Sequence, residues 1–242
     1  METITSKDNK RVKYVKKLIA SASFRRSESL FTAEGLRLCG DALRSGVTVE
    51  SAYFSEDFCE KHGDFVERAE KSAGKCFVLK NGIFSALCDT KTPQGVLFVI
   101  KTLDKTLDFD KMKKNGNIVA LENIQDPANL GTILRSAEAF GVDGVVLSRD
   151  CCDIYAPKVI RGSMGAVFRQ PFEIVDDLPA FIRGFNRVGT SYAAVLDRDS
   201  VPLGDCDFSV ASLCAVGNEG NGLTDAVVAA CTKKVFIPMI VE

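Results

Sequence analysis

Residues 117–148 read NIVALENIQDPANLGTILRSAEAFGVDGVVLS, and this stretch decides the fold. The apolar run NIVAL predicts a buried strand, and GVVL near the end predicts a second one. Between them lies a polar turn, NIQDPAN, in which Pro127 and Asn129 fix the bend. The turn leads into a helix that runs to Gly141, with Leu130, Ile133, Leu134 and Ala137 on one stripe. Strand, helix, strand in this order is a βαβ unit, which requires a parallel sheet. The pattern continues toward the C-terminus. Helices are expected across 157–162, near 177–185 and from Thr224, and strands at YAAVL (192–196), SLCAV (212–216) and VFIPM (235–239).

Upstream, LFTAEGLRLCGDALRSG (30–46) runs a short strand into a helix that ends at Gly46. VESAYFS and CFVLK are further strands, and GVLFVI is another apolar run suited to a sheet interior. The polar, unpatterned TLDKTLDFDKMKKNGN separates the two series. The sequence therefore divides into a domain at 1–100, a linker at 101–116 and a domain at 117–242, both of α/β class, the second with a mostly parallel sheet.

The chain has 242 residues, of which 46% are hydrophobic and 26% charged, so it can bury a core without disulfides or metals. No apolar run approaches the ~20 residues of a membrane helix, and METITSKDNKRVKYVKK is too polar for a signal peptide, which points to the cytoplasm. Nine cysteines without a C-x-x-C, and His62 as the one histidine, argue against a zinc site and leave no histidine near a nucleophile motif. His62 lies in a polar stretch and is expected to face solvent.

Net charge is −1, yet residues 1–26 hold eight basic and two acidic side chains. Val12, Val15, Leu18 and Ile19 recur at helical spacing, with Ser6 or Asn9 available as the cap. The segment reads as an amphipathic helix whose cationic face is either simply solvated or a surface for a polyanion.

Candidate chemistry gathers in three segments of the second half. Asn129 and Arg135 lie at and beyond the first strand's carboxyl end, where open α/β sheets bind ligands. In IRGSMGAVFRQPF, Gly162 and Gly165 flank Ser163 and permit close backbone approach. In AVGNEGNGLTD, Gly217, Gly220 and Gly222 surround Asn218 and Glu219, and Thr224 caps the next helix. The loop lacks the lysine of a phosphate-binding loop, which disfavours a nucleotide-phosphate enzyme.

Together the three segments resemble the SpoU/TrmH-type RNA 2′-O-ribose methyltransferases of the SPOUT superfamily. Asn129, Gly131 and Arg135 match the first motif; Arg161, Ser163 and Gly165 match the second. The third is matched by Gly217, Asn218, Glu219, Gly220, Gly222, Ile237, Pro238 and Met239. ITSKDNKRVKYVKKL, FTAEGLRL and TPQGVLF look like the ribosomal-protein-like substrate-binding domain of the same family.

The resemblance implies methyl transfer from S-adenosylmethionine to a ribose hydroxyl of RNA, ribosomal rather than transfer RNA, by a homodimer paired through the C-terminal domain and without a metal. Asn129, Arg135 and Glu219 would be the catalytic set. Gly217, Asn218, Gly220, Ile237, Met239 and Ser163 would hold the cofactor. In the family the I-P-M strand is followed by an S-L-N segment and a last helix threaded as a trefoil knot; the sequence to Glu242 does not include them. From that difference weak or absent cofactor binding is expected, with a non-catalytic RNA-binding protein as the alternative.

Overall fold

The computed structural model describes residues 1–103, 106–108 and 115–239. These fall into two compact units, Met1–Leu103 with Asp153–Arg169, and Asp104–Cys152 with Gln170–Glu242.

The first unit opens with β1 (Glu2–Ile4), α1 (Lys10–Ala20), α2 (Ala22–Glu28) and β2 (Leu30–Glu34). It continues through α3 (Leu36–Arg44), β3 (Val49–Ser55), α4 (Glu56–Lys61), α5 (Gly63–Ser72), β4 (Cys76–Leu79), α6 (Asn81–Leu87) and β5 (Val96–Lys101). Its sheet has the order β1-β4-β3-β5-β2; β4 is parallel to β1 and β3, and β5 is antiparallel to β3 and β2. Helix α1 begins where Asn9 accepts a hydrogen bond from the Arg11 amide at 2.8 Å, and it buries Val12, Val15 and Leu18. The cationic segment is not one helix. Ser21 is extended and its hydroxyl caps α2, so the helix axis restarts there. Nor is every cation on the surface: Arg25 is buried. Its Nη1 donates to the Leu18 and Ile19 carbonyls, closing the end of α1, and its Nε and Nη2 lie 2.8 and 2.7 Å from Asp153. His62 is half-buried rather than solvent-facing, because its ring stacks 4.5 Å from Phe58 between α4 and α5.

The remaining elements are β6 (Asn117–Leu121), α7 (Pro127–Ala139), β7 (Gly144–Ser148), α8 (Pro157–Gly162) and β8 (Phe172–Val175), then α9 (Leu178–Phe185), β9 (Thr190–Ala194), β10 (Val201–Pro202), β11 (Ser212–Val216), α10 (Asp225–Ala230) and β12 (Lys233–Phe236). Helix α8 belongs to the first unit, although chain order suggests the second. Its segment carries Asp153 to Arg25 and lays Tyr155 and Phe168 against Phe31, at ring separations of 4.7 and 6.4 Å. An ion pair and three aromatic rings thus join this segment to the first unit.

The second unit is a seven-stranded sheet in the order β10-β12-β9-β11-β6-β7-β8, parallel at every pairing. Ile118, Ala120, Val146, Leu213 and Ala215 alternate onto one face, where Leu178, Ile182 and Phe185 of α9 and Val227 and Ala230 of α10 cover them. Leu130 and Leu134 of α7 are fully buried, each stabilising the fold by about 1.5–3 kcal/mol. Strands β8 and β10 are absent from the sequence reading. Both lie at the outer edges of the sheet and are short, with mixed burial that gives no apolar run. Strand β12 stops at Phe236 instead of reaching Met239; Pro238 has no N–H to donate, and residues 237–239 are exposed. Half of the expected linker at 101–116, namely 104–105 and 109–114, and the last three residues lie outside the described residues.

Candidate active site

All strands of the second sheet run the same way, so β6 and its neighbours β11 and β7 deliver their following loops to one edge. The loop after β6 starts with Glu122, a buried carboxylate. It accepts from the Thr224 amide at 2.8 Å and the Thr224 hydroxyl at 2.7 Å, tying the end of β6 to the start of α10. Asn123 turns the chain with φ +54°, its amide donating to Ser148 Oγ at 2.9 Å. Asp126, not Asn129, caps α7, accepting from the Ala128 amide at 2.7 Å, with Pro127 in the first turn. Asn129 is thereby the third residue of the helix, in its first turn, where its amide is available to another loop.

That loop is the one after β11. Asn129 Nδ2 donates to Glu219 Oε1 at 2.9 Å, and the same carboxylate accepts from the Gln125 and Asp126 amides, both at 3.2 Å. The donated hydrogen bonds, Asn129's foremost, pull the Glu219 carboxyl down from 4.5 to about 2, so it is ionised throughout the physiological range. A carboxylate at the N-terminus of α7 also complements that helix's dipole. Asn218 Nδ2 donates to the Asn123 carbonyl at 2.8 Å, while its Oδ1 accepts from the Gly220 and Asn221 amides at 2.9 and 3.0 Å. The loop closes on itself through paired backbone bonds between Asn218 and Gly222. A Cβ on Gly217 would stand 2.1 Å from the Gly222 carbonyl carbon, and Gly222 has φ +69°, so glycine is required at both places.

The structure thus brings Asn129, Asn218 and Glu219 into one network, with Gly217 and Gly220 in the same loop. Arg135 lies on the exposed side of α7, roughly 9 Å along the axis from Asn129. Ile237 and Met239 follow β12, which is separated from β11 only by β9, about 10 Å at the usual strand spacing. Ser163 is fully buried within the first unit, where its hydroxyl donates to the Ile160 carbonyl at 2.9 Å. Its neighbour Gly165 has φ +89°, and a Cβ there would meet Asp41 Oδ2 at 2.5 Å, so this glycine serves close packing. Sequence reasoning missed Glu122, Gln125 and Asp126, which build the docking surface. The signal for Glu122 is a carboxylate placed directly after an apolar strand.

The edge suits a large, uncharged-to-cationic ligand. Leu196, Ile237 and Met239, which follow β9 and β12, are 88%, 70% and 80% exposed, an apolar surface such as a nucleobase requires. Residues 217–225 carry carboxylates and no basic side chain, which accommodates a cation and repels phosphate. Both properties fit S-adenosylmethionine, a sulfonium attached to adenosine. Among the described residues no cluster of metal ligands occurs. Burial raises the Cys151 thiol beside the loop and pushes Cys214 up to about 11, so neither is a nucleophile at neutral pH.

The chain thus joins a parallel α/β sheet, with a glycine-and-amide loop at the carboxyl edge of its strands, to a second α/β unit that bears a cationic helix. Residues 116–242 match the SpoU rRNA Methylase family, and residues 9–97 match the MRM3-like substrate binding domain. The chain is 30% identical to an uncharacterized tRNA/rRNA methyltransferase of Synechocystis, over 98% of this chain and 85% of that one. It is 26% identical to the 23S rRNA (guanosine(2553)-2′-O)-methyltransferase RlmP of Bacillus subtilis, over 99% and 91%. Among solved structures, the AdoMet-bound rRNA methyltransferase of Sinorhizobium meliloti superimposes with a TM-score of 0.86 at 26% identity, covering 99% of this chain and 89% of that one. The chain belongs to the SpoU rRNA methylase family.

Proposed function

We infer that this protein transfers a methyl group from S-adenosylmethionine to a ribose 2′-hydroxyl of RNA, ribosomal RNA being the substrate class its relatives' names carry. The observation that supports this reading most directly is the hydrogen bond from Asn129 to Glu219, which docks the glycine loop after β11 on the start of α7. Relatives named as 2′-O-methyltransferases disfavour a non-catalytic RNA-binding protein.

When bound, S-adenosylmethionine supplies an electrophilic methyl group with a neutral thioether as leaving group. Gly217, Asn218 and Gly220 would hold it with their backbone, and Ile237 and Met239 with apolar surface. Glu219 takes no proton at neutral pH, since its carboxyl stays ionised; it positions Asn129 and the loop. A guanidinium carries N–H donors and no acceptor, so Arg135 orients the attacking hydroxyl and its flanking phosphate, and the proton passes to water or phosphate. Much of the rate then comes from positioning the two reactants.

Replacing Arg135 by alanine is expected to lower methyl transfer by roughly 10²-fold or more while the affinity for S-adenosylmethionine changes little. Nucleoside mass spectrometry of RNA from cells lacking the gene, complemented with each form, is the measurement. Restoration of the mark by Arg135→Ala would overturn the assignment. We further propose a homodimer, to which Phe140, exposed at the end of α7, offers apolar surface, and a cytoplasmic site of action. Light scattering tests the first and fractionation the second.

A further inference from the structure

We propose that the first unit holds a nucleotide subsite for the RNA substrate in a cavity of about 620 Å³ between α1, β3 and the turn before β4. The proposal rests on the methyltransferase reading and names where in the chain RNA is gripped. Lys10, Arg11 and Lys75 stand around this cavity, with Tyr14 on its wall and Tyr53 and Leu30 at its floor.

Two features separate this place from the rest of the cationic N-terminus. Of the other basic residues of the segment, Lys13 pairs with Asp8 at 2.8 Å, Arg25 is buried against Asp153, and Lys7, Lys16, Lys17 and Arg26 are not among the residues lining the cavity. Lys10, Arg11 and Lys75 form no ion pair among the described residues, and Glu50 is the one carboxylate on the cavity wall. Arg11 is also held in place, its guanidinium 4.5 Å from the centre of the Phe77 ring. The second feature is the aromatic wall. Tyr14 is fixed by donating its hydroxyl to Glu28 at 2.7 Å and by an edge contact with Phe24, which leaves a half-buried ring on the cavity side. Cations for phosphate beside an aromatic ring for a base is the arrangement that binds single-stranded RNA. The volume lies in the range of small-molecule sites and takes one nucleotide with its phosphates.

The test uses the full chain and a single-stranded ribosomal RNA fragment followed by fluorescence anisotropy across salt concentrations, with S-adenosylmethionine binding by calorimetry as a second readout. The double variant Lys10→Glu, Lys75→Glu is chosen because a carboxylate at the first position of α1 favours that helix, and Lys75 is an exposed turn residue. It should weaken RNA binding by ~10-fold or more and reduce the slope of log affinity against log salt by about 0.7 per lost phosphate contact. Tyr14→Ala should weaken binding ~5- to 100-fold without changing that slope, and Tyr14→Phe, which keeps the ring, should bind as the parent does. All variants should bind S-adenosylmethionine as the parent does. Parental RNA affinity and slope in the charge-reversed protein would overturn the subsite and leave the methyltransferase reading intact. Failure of the parent chain to bind any RNA would overturn both. An equal loss in binding an acidic peptide would overturn the subsite's assignment to RNA.

Discussion

Glu219 is exposed, yet the Gln125 and Asp126 amides and the Asn129 side chain all donate to it, and that convergence sets its titration. A carboxyl lowered from 4.5 to about 2 by folding contributes stability that is complete above pH 4.5 and fades as pH falls toward 2. Amide chemical shifts of Gln125 and Asp126 should therefore titrate with a midpoint near 2; a midpoint near 4.5 would show that the carboxylate is not docked. Glu219→Ala should free both amides and accelerate their exchange already at neutral pH, while the core strands keep their protection. At this scale the sequence was half legible. Asn129 and Glu219 are recognisable as polar residues at strand ends, but nothing in their spacing, 90 residues apart, says that they touch. Nor does an Asp-Pro-Ala-Asn run say which of its two polar residues caps the helix; the cap went to Asp126 because Pro127 suits the first helical position.

At the level of elements, β11, its glycine loop and α10 act as one piece, clamped by Thr224 on Glu122 and Asn218 on the Asn123 carbonyl. Gly217→Ala puts a methyl group into the Gly222 backbone. We expect a cost of about 1–3 kcal/mol in a chemical-denaturation midpoint and a loss of S-adenosylmethionine affinity larger than that stability change would produce. Unchanged affinity would place the cofactor elsewhere. The strongly apolar strands β5, β6, β7 and β11 were legible from composition alone, because strands covered on both faces need no alternation. The edge strands β8 and β10 were not, since two to four residues with mixed burial carry no period. The break at Ser21 was hidden for a different reason: Ala20 and Ala22 on either side continue a good helical pattern, and only the serine's capping of Phe24 reveals the restart.

For the molecule as a whole, the informative contact is Arg25 with Asp153, 128 residues apart. Asp153→Asn leaves a buried guanidinium without its counter-charge and should cost about 3–5 kcal/mol of stability. Asp176→Asn, which removes the exposed pair with Arg149, should cost no more than about 1 kcal/mol. Equal effects of the two in urea titration would mean that Arg25 reaches water in solution. Family matches at 9–97 and 116–242 follow chain order, whereas the packed units do not, because Asp153–Arg169 is built into the first. Vectorial synthesis then runs out of step with assembly. Strands β1 to β5 leave the ribosome early, but Phe31 stays uncovered and Arg25 uncompensated until the chain has been made through Arg169, after β6 and β7. A nascent chain stalled short of Asp153 would offer a greasy, cationic surface to any chaperone at the tunnel exit, and one stalled after the segment has emerged would not.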